Sequence, residues 1–361
     1  MLDEIRISNY RCFKKFEIAP LSKVNLFIGS NNAGKTAALE GIELLARGPD
    51  PSVILDVLSR RKEYAVDYSE ISEQFGYDHR GLFYGRMPRI GDMFEISSSD
   101  RKNLTCKLEL LGDEEEEHYR AKLFKPDAKM GWSEGPYVEP LGLRMVSEDY
   151  SERIEVRLPL TERFQFRGRG DFGRSRVRYL GTSLFDDLII SILWDELALT
   201  PREDQTIEVL RIIEPEVLRV AVLGGQSRRN GVYVLLSDGG QRIPLGSMGE
   251  GIRRLFAMAL AIGNTPRGGV LLIDEIDTGL HHSVMRRMWE LVIESAIRYN
   301  FQIFATTHSL DCLLALSRIV AERDDYCAQT MVHRLDRFQT HSTVFHGHEL
   351  SYAIDKELEI R

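Results

Sequence analysis

The most specific chemistry in the chain lies in eight residues, GSNNAGKT at positions 29 to 36. Gly29, Gly34, Lys35 and Thr36 stand at G-x-x-x-x-G-K-[ST] spacing, between an apolar run, KVNLFI, and an amphipathic stretch, TAALEGIELLAR. A buried strand, a glycine loop and a helix in that order leave backbone N–H groups of Asn31, Asn32, Ala33, Gly34, Lys35, Thr36 and Ala37 free to surround phosphate oxygens. Lys35 pairs with the terminal phosphates and the Thr36 hydroxyl ligates Mg²⁺, so the pattern points to a nucleoside triphosphate with its metal. Far downstream, GGVLLIDEID ends a second apolar strand in two carboxylates. There Asp274 would hold the magnesium and its water shell, and Glu275 would orient or deprotonate an attacking water. A third apolar strand, IFATTHS, ends in His308, placed to contact the γ-phosphate.

A second glycine-rich turn, GSMGEGIRRLF at 246 to 256, also opens a helix. Glycines there cost backbone entropy, which implies close approach by a partner or ligand.

The elements that must hold these residues follow from periodicity. Ala38, Leu39, Ile42 and Leu45 recur at helical spacing until GPDP stops the helix. From about 50 to 180 short β-like pieces such as NLTCKLELLG, HYRAKLFK and RIEVRLPL predict an inserted antiparallel lobe. Residues 184 to 213 read as helical with a break at TPRED, and VLRVAVLG followed by GVYVLLSDGGQRIPL reads as a hairpin. The last third alternates strand and helix, which implies a parallel sheet with helical crossovers. The expected class is α/β, a P-loop core with helices on both faces of a mixed sheet. Its expected divisions are 1–48 (core, first part), 49–182 (β-rich lobe), 183–262 (helical lobe with the second glycine turn) and 263–361 (core, second part).

Taken in order, ISNYRCF, GSNNAGKT, SMGEG, LLIDEIDTGLHHS and ATTHS resemble the ABC-type ATPases of the SMC, RecF and OLD (overcoming lysogenization defect) group. The resemblance covers roughly residues 1 to 48 and 240 to 320. It implies a fold of ABC type, Mg²⁺-ATP hydrolysis and a head-to-tail homodimer. It also implies that Ser247, Gly249 and Glu250, with Met248 where many members have glycine, cap the γ-phosphate held by the other protomer. Asp277 and His281 would lie at the dimer seam, His308 would be the switch histidine, and Arg11, close to Asn9, would lie near the nucleotide. Two features depart from the group. No glutamine occurs in VRYLGTSLFDD, where such families carry one, and Gln74 and Gln165 are imperfect substitutes. No long heptad segment occurs, and too few residues follow His308 for a Toprim nuclease domain. Stand-alone ATPases of this group imply a role in DNA repair or anti-phage defence with a separately encoded effector, a Toprim-type nuclease or a toxin. ATP is expected rather than GTP, because no Asn-Lys-x-Asp motif is present.

Composition is consistent with this reading. With 43% apolar and 28% charged residues and no 18-residue uncharged stretch, the 361-residue chain reads as soluble and cytoplasmic. No signal peptide is visible in MLDEIRISNYRCF. Cys12, Cys106, Cys312 and Cys327 lack CxxC spacing and read as reduced packing residues. A net charge of −8 confines any nucleic-acid contact to a local patch. RFQFRGRGDFGRSRVR supplies one, with Arg163, Arg167, Arg169, Arg174, Arg176 and Arg178 among phenylalanines; a solvated hairpin or a surface for an acidic protein are the other readings. His341, His346, His348 and Glu349 cluster without a complete metal-ligand spacing, and the tail from Leu350 to Leu358 has the spacing of a packing helix. Two other functional classes stay open: a nucleotide-binding subunit of a membrane transporter, and a scaffold that uses ATP only to assemble.

Overall fold

The computed structural model describes residues 1–65, 76–100, 102–110, 141–148, 152–160, 175–182, 187–223, 231–237, 242–347 and 349–350. The amino-terminal alternation resolves into a hairpin, β1 (Ile5–Tyr10) and β2 (Phe13–Ile18), ahead of the fully buried β3 (Val24–Ile28). The alternation in EIRISNYRCF by itself reads as one half-exposed strand. The chain reverses because Asn9 and Arg11 adopt left-handed φ values of 55° and 54°. After the P-loop come α1 (Lys35–Arg47) and α2 (Pro51–Arg60), the second started by Asp50, whose carboxylate accepts the Ser52 N–H at 2.9 Å.

The β-rich lobe is a continuation of the hairpin. Following the short pair β4 (Tyr64–Ala65) and β5 (Gly76–Tyr77), β6 (Met93–Ser97), β7 (Asn103–Leu110), β8 (Leu141–Glu148) and β9 (Arg153–Pro159) extend it into one antiparallel sheet. Its strand order is β2-β1-β6-β7-β8-β9. The strand β10 (Val177–Leu180), expected in that lobe, instead pairs in parallel with β14 (Val270–Ile273) of the core. Its alternation was too short to reveal which sheet it joins.

The helical lobe holds α3 (Asp187–Asp195), α4 (Pro201–Leu210) capped by Thr200, a three-stranded meander β11 (Val217–Leu223), β12 (Gly231–Leu236) and β13 (Arg242–Pro244), and α5 (Glu250–Gly263). The remaining elements are α6 (His282–Tyr299), β15 (Gln302–Thr306), α7 (Leu310–Glu322), α8 (Asp324–Cys327), β16 (Thr330–Arg334) and β17 (Thr343–His346). The core sheet runs β10-β14-β15-β3-β16-β17, parallel through β16 and antiparallel at β17.

One face of this sheet buries Leu26, Leu271 and Ile303 against α5, α6 and α7, including Trp289. The other face carries α1, which the antiparallel sheet covers in turn, so that Ala38, Leu39, Ile42 and Leu45 are all buried. A Cβ at Gly41 would lie 3.4 Å from the Ile7 side chain, a measure of how closely helix and sheet approach. Of the four unpaired cysteines, Cys106 and Cys312 are buried and Cys12 and Cys327 half-buried.

Helix α1 also buries two carboxylates, Glu40 and Glu43. Buried charges require partners, and arginines from two segments supply them. Arg11 donates to Glu40 (3.0 Å) and Glu63 (2.6 Å), Arg61 to Glu40 (2.6 Å), and Arg60 pairs with Glu43. Burial opposes the Arg11 charge, but Tyr10, Glu40 and Glu63 more than offset it and hold its pKa above the ordinary value. Removing one member leaves a buried charge uncompensated. Arg11→Met is therefore expected to destabilise the fold by about 3 kcal/mol in chemical denaturation; a loss within about 0.5 kcal/mol of zero, typical of an inert surface site, would deny the network its structural role.

Candidate nucleotide site

The P-loop, the acid pair and His308 lie at the carboxyl edge of the parallel strands, where open α/β sheets bind ligands. The P-loop follows Ile28, Asp274 follows β14, and Thr307 and His308 follow β15. Gly34 enters α1 with φ 100° and no side-chain cap, which leaves the first N–H groups of the helix to a ligand. Its missing side chain has a second cause: a Cβ would stand 2.4 Å from Phe13 Cζ and 2.8 Å from Cys12 Sγ. Asn31 and Asn32 are exposed, while Ala33, Lys35 and Ala37 are buried. Lys35 Nζ curls back to donate to the carbonyls of Gly29 (2.8 Å) and Ser30 (2.9 Å). Burial pulls its pKa below the ordinary lysine value, against the opposing charges of Asp274 and Glu275.

Asp274 is the hub. Its carboxylate accepts from Thr306 Oγ1 (2.6 Å), from Thr36 Oγ1 (3.1 and 3.3 Å to its two oxygens) and from the Tyr179 hydroxyl (3.4 Å). The arrangement follows from strand order, because β15 lies between β14 and β3 and so inserts Thr306 between the acid and the P-loop. The Thr306 oxygen also accepts the Glu275 N–H at 2.8 Å, which fixes its own proton on Asp274. Burial, then the Asp274 charge, raises the Tyr179 pKa well above the ordinary value and keeps it a donor. The juxtaposed Thr36 hydroxyl and Asp274 carboxylate are hard oxygen donors of the type Mg²⁺ selects, so the residues present fit the metal expected from the sequence.

Glu275 turns the other way. Its φ is 48°, a conformation that costs a non-glycine residue about 1–2 kcal/mol. Arg254, buried on α5, holds this turn: its Nη2 donates to the carbonyls of Asp274 (2.7 Å) and Glu275 (3.0 Å), and its Nη1 reaches Gly181 O. Burial lowers the Arg254 pKa, with Asp274, Asp277 and Glu275 pulling in the opposite direction. The Glu275 side chain accepts from Thr278 Oγ1 at 3.1 Å and lies 3.5 Å from His308 Nε2. Both ends are partly exposed, at 39% and 41% of their side-chain surface, so this pair faces solvent while Asp274 is enclosed.

The second glycine turn presents an open face. Ser247, Gly249 and Glu250 are exposed, and a Cβ at Gly246 or Gly249 would meet nothing, although Gly249 needs glycine for its φ of 95°. It adjoins the Asp277–His281 loop: a Cβ at Gly251 would lie 2.9 Å from Gly279 O, and one at Gly279 would lie 3.0 Å from Glu250 Cγ. Asp277 accepts from Thr307 Oγ1. His281 is exposed and caps α6, its Nδ1 accepting the Ser283 N–H at 3.4 Å.

Arg11 is engaged by carboxylates, and one residue expected in the surface patch is placed in the core. The described partners of Arg11 are Glu40, Glu63 and Gly81 O, an ion-pair network beneath the β1–β2 turn, because the carboxylates on α1 demand a cation there. Arg178 is no surface residue: it lies on β10 in the core sheet, 4% exposed, and donates to Ser175 O at 2.7 Å. Arg176 is exposed; Arg163, Arg167, Arg169 and Arg174, like Gln74, Gln165, His348 and the tail beyond Leu350, lie outside the described residues. Among the described residues no group of three or more His, Cys, Asp or Glu is placed to hold a metal ion. A cavity of about 370 Å³ between Thr200, Gln205 and Tyr299 is lined by none of the residues at this edge.

Sequence reasoning did not single out Thr306, Tyr179 and Arg254. Thr306 and Tyr179 become visible only once strand order is known. For Arg254 a signal existed: of the adjacent pair Arg253 and Arg254, the second falls on the apolar face of α5, where a charge needs a buried partner.

A relative from Helicobacter pylori (strain ATCC 700392 / 26695), described as "ATP/GTP phosphatase", is 20% identical over 387 aligned residues that cover 99% of both chains. Similar solved structures include an SMC head domain from Thermotoga maritima (12% identity, 96% of this chain and 98% of that one, TM-score 0.43). Another is a Pyrococcus furiosus Smc head domain with an extended coiled coil bound to the C-terminal domain of ScpA (11% identity, 99% of both chains, TM-score 0.49). Residues 24–314, most of the chain, match the family described as "AAA domain, putative AbiEii toxin, Type IV TA system". The chain belongs to that AAA-domain family.

Proposed function

We propose that this ATPase acts on Mg²⁺-ATP, closes head to tail on a second copy of itself when ATP is bound, and serves as a cytoplasmic switch or clamp in DNA repair or anti-phage defence, read by a separately encoded effector. The observation that carries the hydrolytic part is the division between two adjacent acids: Asp274 faces the Thr36 and Thr306 hydroxyls, and Glu275 faces Thr278 and His308. Mg²⁺ held by Thr36 and Asp274 would neutralise phosphate charge. Lys35 leaves the carbonyls of its own loop to pair with the terminal phosphates, and the N–H groups at the start of α1 take up the remaining oxygens. Glu275 orients the water and receives its proton, with His308 alongside contacting the γ-phosphate. Positioning and electrostatics dominate such a transfer, and a base adds about 10²–10⁴-fold.

The dimeric part is supported by the exposed Ser247, Gly249 and Glu250 next to the Asp277 loop, a polar helix entrance with room for a phosphate brought by another protomer. Among the described residues no helix is long and apolar enough to cross a membrane. The name of the Helicobacter pylori relative supports nucleotide hydrolysis, and the family description supports a defence role with a toxin-like output.

Glu275→Gln should keep ATP affinity, slow turnover at least about 100-fold, and accumulate as a dimer on size exclusion with ATP. Wild-type turnover in this variant would remove Glu275 from the role of base. For the shared site, Ser247→Arg should bind ATP as tightly as wild type in calorimetry and yet lose both ATP-dependent dimerisation and hydrolysis. Hydrolysis that persists in Ser247→Arg would mean that each protomer completes its own site.

A further inference from the structure

The residues described so far account for the triphosphate and its metal, and none of them recognises the nucleoside. Beside the P-loop, however, a phenylalanine stands in water. Phe338 is 81% exposed, in a segment running from Leu335 to Ser342 between β16 and β17. It is the most exposed aromatic side chain among the described residues.

The segment is anchored at both ends. Leu335 N–H donates to Ile28 O at 2.8 Å, and a Cβ at Gly29, the first P-loop residue, would stand 2.5 Å from Leu335 O. At the other end Glu17 N–H donates to Thr340 O and Ser342 N–H to Glu17 O, both at 2.9 Å, tying the segment to β2. Between them Asp336 builds a turn: its carboxylate accepts the Phe338 N–H at 3.0 Å, and its carbonyl accepts the Gln339 N–H at 3.0 Å. Phe338 is therefore presented by a built turn. The Arg337 guanidinium carbon lies 4.8 Å from the centre of its ring.

The opposite rim of the P-loop is the β1–β2 turn, whose Cys12 and Phe13 pack on Gly34. Burial raises the pKa of the Cys12 thiol and the Arg337 charge acts against it, so the two rims of this mouth lie within electrostatic reach of each other. On the turn side, Phe13 and Phe16 stack on each other in the core, and Arg11 is committed to Glu40 and Glu63. An aromatic face and a cation open to a nucleoside leaving this mouth are offered by Phe338 and Arg337.

We propose that Arg337 and Phe338 form the nucleobase subsite of the P-loop: the planar base of the bound nucleoside triphosphate stacks on the Phe338 ring, and Arg337 lies over the stack or on the α-phosphate. Stacking suits this position because every base has a π face and the ring sits at the end of a short, built turn. The assignment rests on the nucleotide reading of the P-loop given above.

The test uses the full chain with Mg²⁺ and two probes, ATP and inorganic tripolyphosphate, which lacks the nucleoside. In titration calorimetry Phe338→Ala should weaken ATP about tenfold and leave tripolyphosphate unchanged, the size expected for one lost stack. Phe338→Trp should retain ATP affinity, and its added fluorescence should be quenched by ATP and not by tripolyphosphate. An unchanged ATP affinity in Phe338→Ala, an equal loss for both probes, or a changed oligomeric state at unchanged affinity would each overturn the subsite. Lys35→Ala separates the two levels: if it abolishes binding of both probes while Phe338→Ala alters neither, the P-loop reading survives and the subsite alone fails. If wild type binds neither probe, the nucleotide reading itself fails.

Discussion

Burial of α1 between two sheets is the constraint on which the rest of the molecule depends. The parallel sheet covers one side of the helix and the antiparallel sheet the other, so the end that remains accessible is its amino terminus, where Gly34 offers free N–H groups. Closing the helix off in this way also traps Glu40 and Glu43 away from water. Both carboxylates then recruit arginines from the β1–β2 turn and from the end of α2. The same contacts that neutralise the helix thereby fix the hairpin against the P-loop, with Cys12 and Phe13 packed on Gly34.

A second consequence concerns the acids. Strand order places β15 between β14 and β3, and a single hydroxyl, that of Thr306, both accepts from the Glu275 backbone and donates to the Asp274 carboxylate. The strained turn at Glu275 is held from the other side by Arg254, a residue of the helix that starts at the second glycine turn. The open turn at Ser247 and Gly249 and the backbone of both acids are thus joined through the first turns of one helix.

Much of this was legible beforehand, and for identifiable reasons. The P-loop and the acid pair could be read because their chemistry is carried by consecutive residues, and the flanking elements α1, β3, β14 and β15 are long or apolar enough to show their periodicity. The reading of Arg178 as a surface cation went astray because it judged the charge by its basic sequence neighbours, whereas β10 carries it into the core sheet, where it is buried and donates to the carbonyl of Ser175. Strand β10 was misassigned because four residues cannot declare which sheet they join.

The sequence by itself determined the local chemistry: which backbone must turn through glycine, which strand ends in acids, and which helix entrance is left without a cap. The tertiary structure alone decided which of these are neighbours. Thr306, Tyr179 and Arg254 come from three different elements, and each meets Asp274 or Glu275 through sheet order and helix packing. Pairing across a sheet depends on long-range register and burial, to which the residues on either side of each strand carry no reference.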